Sequence, residues 1–252
     1  MAVNTDKNSY TIIFSVLMVI VVGSLLAGVS TALKPDITIN KKKEKQQNIL
    51  FAMNVADSDD KNSFVPADQA QKFFDEYVGK EQYIIQGGKA TKSTEAFNID
   101  IKKEADRAKQ DEGYQPKYPL FIGNKDGEKF YIVPVRGNGL WDAIWGYIAL
   151  NDNFDTVKGA FFDHKGETPG LGANIKEAYF REDFIGEKIV DAAGNYKGIE
   201  VKKGNADPKN DRKDDNAVDA LAGATITGNG VTAMVKKGIK GYMPYFKTLK
   251  KS

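Results

Sequence analysis

The feature that most constrains this chain is an uncharged stretch near its N-terminus. No charged side chain occurs from Asn8 to Leu33, and residues 11–33, TIIFSVLMVIVVGSLLAGVSTAL, are almost all apolar or small. A helix of about 20 such residues spans the hydrocarbon core of a bilayer. The sequence therefore predicts a short N-terminal tail at 1–10 and a single transmembrane helix at 11–33. The alternative is a cleaved signal peptide, whose apolar core is usually shorter.

The charges and small residues around this span bear on its orientation and its neighbours. Lys7 precedes the span, and Lys34 and Lys41–Lys43 follow it, so the positive-inside rule places the large domain in the cytoplasm. The rule is weak for a long domain, which crosses the membrane largely regardless of flanking charge. Four small residues suit close packing against another membrane helix: Gly23, Ser24, Gly28 and Ser30.

The rest of the chain is predicted to form a helical neck and linker at 34–65 and one α+β domain at 66–252. We expect the neck helix to continue from the membrane through residues 41–53. In the domain, Pro66 is followed by apolar residues at helical spacing, which predicts an amphipathic helix over 66–80.

The domain then becomes rich in strand patterns. Residues 86–118 are mostly polar, with one alternating stretch at 97–102. The short turns beyond them are typical of antiparallel hairpins. The predicted elements are strands at 120–123, 129–135, 143–150 and 157–163, a helix at 177–186, a strand at 198–203, a charged loop at 204–216 and a helix at 230–243.

The composition excludes most kinds of catalytic or metal site. The chain has no cysteine and one histidine, His164, which excludes disulfides, thiolate ligands and zinc sites built on several imidazoles. A net charge of +2 argues against nucleic acid as a partner. The sequence has no Rossmann glycine motif, P-loop or G-x-S-x-G, and the acidic clusters at 57–60 and 211–215 lack calcium-loop spacing. We therefore expect no metal site and no catalytic residue.

Three glycine-rich segments remain as candidates for a binding site. They are RGNGLW (136–141), GETPGLGANI (166–175) and GATITGNGV (223–231), and each lies between predicted elements. Glycine lets backbone approach a ligand closely, and successive N–H groups can face an anion such as phosphate. The third segment also runs into the start of the last predicted helix, where free N–H groups and the helix dipole favour a phosphate. An ordinary turn is the alternative for any one segment.

The third segment carries a specific motif. Residues 218–231, VDALAGATITGNGV, resemble the flavinylation signature of the FMN-binding domain family, Asp-x-x-Ser/Thr-Gly-Ala-Thr/Ser-x-Thr/Ser. The resemblance implies that Thr225 carries FMN through a phosphoester bond, because Thr225 follows Gly-Ala in the motif. Four further residues match it: Asp219, Gly223, Ala224 and Thr227.

The sequence departs from the family signature at two positions, and two alternatives remain to flavin attachment at Thr225. Ala222 stands where the family usually has serine or threonine, and Ala220 replaces a common glycine. Thr227 is the other candidate hydroxyl for attachment. Alternatively, Thr225 only caps or supports the turn that follows it. A threonine hydroxyl is a poor nucleophile unaided, and the resemblance implies that a separate flavin transferase supplies the activation.

The other two segments resemble the parts of that family that cradle the flavin. The matching stretches are PVRGNGLWDAIWGYIAL (134–150) and FFDHKGETPGLGANI (161–175). The resemblance implies contacts with the cofactor from Asn138, Gly139, Leu140, Trp141, Glu167, Thr168, Gly170, Leu171 and Gly172. We expect Trp141 to stack on or shield the ring, unless it is an ordinary core residue. We expect Glu167 to accept hydrogen bonds rather than act as a base, and His164 to be a surface or capped histidine.

Together with the N-terminal span, residues 1–55 and 119–245 resemble the C subunits of Na⁺-translocating NADH:quinone oxidoreductases. This implies a flavoprotein subunit that passes electrons from NADH towards ubiquinone by means of covalent FMN, coupled to Na⁺ export. It also implies other membrane subunits as partners and a single-pass protein of the bacterial inner membrane. Its domain would be periplasmic, against the charge rule. Because the span has no charged side chain, we expect that it does not conduct Na⁺ alone.

Two alternatives remain from the sequence. One is the related FMN subunit of an Rnf-type ferredoxin:NAD⁺ complex. The other is a membrane-anchored binding or scaffold protein that never carries flavin.

Overall fold

The computed structural model describes residues 7–56, 58, 60, 62–207 and 209–250. Residues 1–6 of the predicted tail and Asp57 and Asp59 of the first acidic cluster lie outside the described residues. The chain divides into two compact units between Glu44 and Lys45.

The first unit consists of most of a single long helix, α1, which runs from Asn8 to Ala52. Its most apolar 18-residue window has a mean hydropathy of 2.8, and none of that window is buried. The predicted helix at 11–33 is therefore confirmed, and its exposed apolar side chains suggest membrane anchoring. The helix continues through Pro35, although proline removes one backbone hydrogen bond, and the predicted continuation through 41–53 holds to Ala52.

The second unit is built on one six-stranded sheet. Its strands are β1 Gln82–Gln86, β2 Lys89–Lys92, β3 Tyr118–Lys125, β4 Glu128–Asn138, β5 Ala143–Leu150 and β6 Val157–His164. They lie in the order β2-β1-β3-β4-β5-β6, and every neighbouring pair is antiparallel. The four strands predicted between 120 and 163 are confirmed as β3 to β6. Asp126 and Gly127 join β3 to β4 with positive φ at both positions, as a two-residue hairpin turn requires.

Helices cover both faces of this sheet. They are α2 Ala70–Tyr77, α3 Ile101–Gln110, α4 Ala178–Asp183, α5 Thr225–Lys240 and α6 Met243–Leu249, with short 3₁₀ helices at Thr94–Asn98 and Gly172–Lys176. Residues of β5 alternate between two buried clusters: Ile144 and Ile148 lie with α5 and α6, whereas Tyr147 and Ala149 lie with α2 and the end of α1. Burial on both faces explains why β5 reads as one apolar run.

The polar region before β3 contains more regular structure than the sequence indicates. β2 is an edge strand with mostly exposed side chains. The alternating residues 97–102 do not form a strand, because Asp100 accepts hydrogen bonds from the N–H groups of Lys102 and Lys103 and caps α3. A capping aspartate of this kind starts a helix.

The C-terminal region differs from the prediction in two ways. Helix α5 begins at Thr225, five residues before the predicted start at 230. Threonine and glycine are weak helix formers, but Thr227, Gly228 and Val231 are buried here, and this packing outweighs their propensity. The predicted strand at 198–203 is confirmed as β7 (Glu200–Lys202), yet it pairs in parallel with a further strand, β8 (Ala217–Asp219).

The boundary predicted between neck and domain at residue 66 stays a prediction. Residues before it already belong to the core of the second unit, since Ile49, Leu50 and Val65 are buried with the side chains of α2.

Candidate functional site

The three glycine-rich segments meet around the carboxylate of Glu167. Glu167 comes from the second segment and is 4% exposed. Its Oε1 accepts a hydrogen bond from the backbone N–H of Trp141, in the first segment, at 2.9 Å. Its Oε2 accepts one from the hydroxyl of Thr227, in the third segment, at 2.5 Å. One buried side chain therefore joins all three segments.

These hydrogen bonds decide the charge of Glu167. Its desolvation alone would raise the pKa of the carboxyl group. The hydroxyl of Thr227 and the backbone N–H groups of Trp141, Leu140 and Asp142 outweigh that effect and hold the pKa below its usual range. Glu167 is thus an ionised acceptor in a ring of donors, which suits a structural role and not that of a proton acceptor in catalysis.

Glycines make this close approach possible. A Cβ atom on Gly139 would lie 2.5 Å from Oε1 of Glu167. One on Gly172 would lie 2.5 Å from both Oε2 of Glu167 and Oγ1 of Thr227. One on Gly230 would lie 2.2 Å from the carbonyl oxygen of Asn138, where α5 crosses the end of β4. Each of the three segments therefore contributes a glycine that a larger residue would force away from its neighbour.

The second segment continues in a tight turn. The N–H of Leu171 donates to the carbonyl of Thr168 at 3.1 Å, with Pro169 between them and Gly170 at φ +77°. Proline followed by a glycine of positive φ is typical of a type II turn. The turn directs Leu171 towards the third segment, because a Cβ on Gly223 would lie 2.8 Å from Cδ2 of Leu171.

Thr225 is the first residue of α5. The residue before it, Ala224, occupies the N-cap position, and its side chain offers no capping bond to the described part of the helix. The first α5 hydrogen bond runs from the N–H of Gly228 to the carbonyl of Ala224 at 2.9 Å. The N–H groups of the first turn therefore have no intrahelical acceptor, and they lie at the positive end of the helix dipole. Ala224, not Thr225, occupies the N-cap, so of that alternative only the possibility that Thr225 supports the turn after it is left.

A cavity of about 440 Å³ lies beside Thr225. Its lining consists of Lys203–Asp207, Asp219–Gly223 and Thr225, so Asp219 and Ala222 of the motif both face it. The sequence did not point to Lys203–Asp207. These residues reach the site because β7 and β8 pair in parallel and place Lys202 opposite Asp219.

Several apolar side chains of the three joined segments are exposed. Trp141 is 69% exposed, and its indole N–H donates to the hydroxyl of Thr168 at 3.1 Å. The alternative that Trp141 is a core residue is therefore wrong. Leu140 and Leu171 are about half exposed, and Ile226, which follows Thr225, is 57% exposed. Exposed apolar groups in one region mark a surface for an apolar ligand or partner.

The site fits a phosphate-bearing aromatic cofactor. It offers a free helix N-terminus with a hydroxyl at its first residue, and apolar side chains nearby for a ring system. Among the described residues, no group of three His, Cys, Asp or Glu side chains is placed to hold a metal ion. Of the residues predicted from the sequence, Glu167, Thr227, Trp141, Thr168, Gly139 and Gly172 lie together, whereas Asp219, Ala222, Gly223 and Thr225 line the adjoining cavity.

Comparison with known proteins agrees with these features. A sequence model of the FMN-binding domain matches residues 139–240. The C subunit of the Na(+)-translocating NADH-quinone reductase of Neisseria meningitidis is 32% identical over 266 residues, which cover 99% of this chain and 98% of that protein. Its counterpart from Pseudomonas aeruginosa is 28% identical, with 98% of each chain covered.

Two crystal structures also align with the chain. The C subunit of this reductase from Parabacteroides distasonis has a TM-score of 0.71 and 32% identity, and the alignment covers 85% of this chain and 96% of that chain. NqrC from Shewanella oneidensis has a TM-score of 0.66 and 26% identity, with coverage of 84% and 99%.

Proposed function

Because the chain belongs to the family of C subunits of the Na⁺-translocating NADH-quinone reductases, we propose that it carries electrons on an FMN bound covalently to Thr225. The observation that carries this proposal is the placement of Thr225. Its hydroxyl belongs to the first residue of a helix whose first-turn N–H groups are free, and this residue lines a cavity. An ester phosphate on that hydroxyl would meet the N–H groups and the positive end of the helix dipole.

Bound FMN would supply one- and two-electron redox chemistry, and the residues of this chain would hold and orient it. Thr225 would anchor the phosphate end. Leu140, Trp141 and Leu171 would cover apolar parts of the ring and reduce its contact with water. Glu167 would hold the three segments together through its hydrogen bonds. Its negative charge would disfavour added negative charge on a nearby reduced flavin ring.

The remaining features of the proposal concern the complex. Family membership implies other subunits, and the exposed apolar part of α1 would serve as the membrane anchor. We propose that the domain is periplasmic in a bacterial inner membrane, that electron flow from NADH to ubiquinone is coupled to Na⁺ export, and that a flavin transferase modifies Thr225. Family membership favours this complex over an Rnf-type one.

The test is to produce the chain in cells with and without a flavin transferase. We expect a fluorescent band on a denaturing gel and an intact mass increased by one esterified FMN only when the transferase is present. A dark band with an unmodified mass would contradict the redox proposal and favour the alternative of a scaffold protein that carries no flavin.

The departure at Ala222 permits a separate prediction. Ala222 is exposed and lies two positions before the N-cap Ala224, so a hydroxyl there would not reach the cap position that stabilises helix starts. An exposed substitution of this kind usually changes folding stability by less than about 0.5 kcal/mol, so we expect Ala222→Thr to change the rate of flavin attachment by less than about twofold. Attachment measured over time by gel fluorescence checks this. A much faster reaction would mean that the transferase contacts residue 222 directly.

A further inference from the structure

The backbone of Glu167 has its own hydrogen-bond acceptor, which is the imidazole of His164. The N–H of Glu167 donates to Nδ1 of His164 at 3.2 Å. Glu167 is buried, and a buried N–H group needs a partner. Among the described backbone hydrogen bonds, none uses this N–H. His164 is thus the group that satisfies it.

His164 is placed so that it links the loop to the sheet. It is the last residue of β6 and lies opposite Ile144 of β5. The next residue, Lys165, still donates its N–H to the carbonyl of Ala143 at 2.9 Å. The chain leaves the sheet only after this bond, so the imidazole is held by a regular strand, while Glu167 belongs to the loop.

The geometry also fixes which ring nitrogen acts. Because Nδ1 accepts a hydrogen bond, it bears no proton in this arrangement, and the proton of the ring lies on Nε2. Nε2 is buried and has no hydrogen-bond partner among the described residues. Among the described residues, the ring therefore makes one hydrogen bond, the one that Nδ1 accepts from the N–H of Glu167.

We propose that His164 is a positioning residue of the flavin site, which acts by holding Glu167 so that its carboxylate can join the three segments. The chain of contacts runs from His164 to the backbone of Glu167, and from its side chain to Trp141 and Thr227. Its effect on the flavin rests on the proposed function, whereas its effect on the loop does not.

Three substitutions of His164 separate this role from simple packing. His164→Asn places a carbonyl oxygen near the position of Nδ1 and keeps the acceptor. His164→Gln places an acceptor near the position of Nε2 instead. His164→Leu keeps an apolar side chain of moderate size and removes both.

The first measurement uses the full chain in detergent without flavin. Hydrogen exchange of the peptide that contains Glu167 should be about tenfold faster in His164→Leu and His164→Gln than in the wild type. A factor of ten corresponds to about 1.4 kcal/mol, within the range for a buried donor left without its partner. In His164→Asn the exchange rate should stay close to that of the wild type.

The second measurement uses the chain after modification by the transferase. We expect the visible circular dichroism of the flavin to keep its wild-type form in His164→Asn and to lose it in His164→Leu and His164→Gln. Equal spectra in all four proteins, or rescue by Gln and not by Asn, would overturn the proposal. If the wild-type chain carries no flavin, the proposed function fails, while the exchange measurement still decides the role of His164.

Discussion

Replacing Thr225 with valine is expected to abolish covalent attachment of flavin. Valine has nearly the shape of threonine but lacks the hydroxyl that would form the phosphoester. Thr225 is exposed, and surface substitutions away from caps usually change stability by less than about 0.5 kcal/mol. The chain should therefore fold normally and appear dark on a denaturing gel, with the mass of the unmodified protein. Thr225→Ser, which keeps a hydroxyl, should remain fluorescent.

Thr227 provides the matched control for this experiment. Its hydroxyl is buried and donates to Glu167, so it is poorly placed to reach a transferase. Thr227→Val should keep the covalent flavin. The variant loses the hydrogen bond from residue 227 to Glu167, so the third segment should be held less firmly to the other two. Fluorescence that persists in Thr225→Val and disappears in Thr227→Val would move the attachment site to Thr227.

The residues of the candidate site could be proposed from the sequence, whereas their arrangement in space could not. The motif around Thr225 and the three glycine-rich segments are local patterns, and local patterns can be recognised without a fold. That Glu167 joins the segments depends on how the turn after β4, the loop after β6 and the start of α5 approach one another. The role of His164 was missed for the same reason, since a lone histidine three residues before a glutamate has no distinctive spacing.

In the fold, too, elements set by local sequence patterns were predictable and those set by long-range packing were not. Strands β3 to β6 were predictable because each is a compact apolar run bounded by turn residues. The early start of α5 was not, because Thr225–Gly230 is poor in helix formers and is held helical by packing against β4 and β7. The pairing of β7 with β8 could not be predicted either, since a parallel pair depends on contacts between residues that are far apart in the sequence.

Outside the candidate site around Glu167, Glu187 is a buried acid that should make the folding stability depend on pH. Its side chain is fully buried, and neither carboxyl oxygen has a hydrogen-bond partner among the described residues. The ammonium group of Lys213 lies 3.8 Å from Oε1, too far for a hydrogen bond. Burial raises the pKa of Glu187 from 4.5 to about 7, with Lys213 opposing the increase and Asp215 adding to it.

The direction of the pH effect follows from proton binding. Between pH 4.5 and pH 7, Glu187 is ionised in the unfolded chain but protonated in the folded one. The folded state then binds more protons, so its stability falls as pH rises through this range and becomes constant above it. A shift of this size corresponds to about 3 kcal/mol. We expect urea unfolding of the full chain in detergent to give a free energy lower by about 2–3 kcal/mol at pH 8 than at pH 5 on account of Glu187.

Glu187→Gln isolates this contribution, because glutamine has nearly the same shape but does not ionise. The variant should lose about 2–3 kcal/mol less than the wild type between pH 5 and pH 8, and should be more stable than the wild type at pH 8. Glu200→Gln, at an exposed carboxylate of β7, is the control and should follow the wild type. If Glu187→Gln shows the same pH dependence as the wild type, the buried carboxyl of Glu187 is ionised throughout this range, and Lys213 stabilises its charge despite the distance.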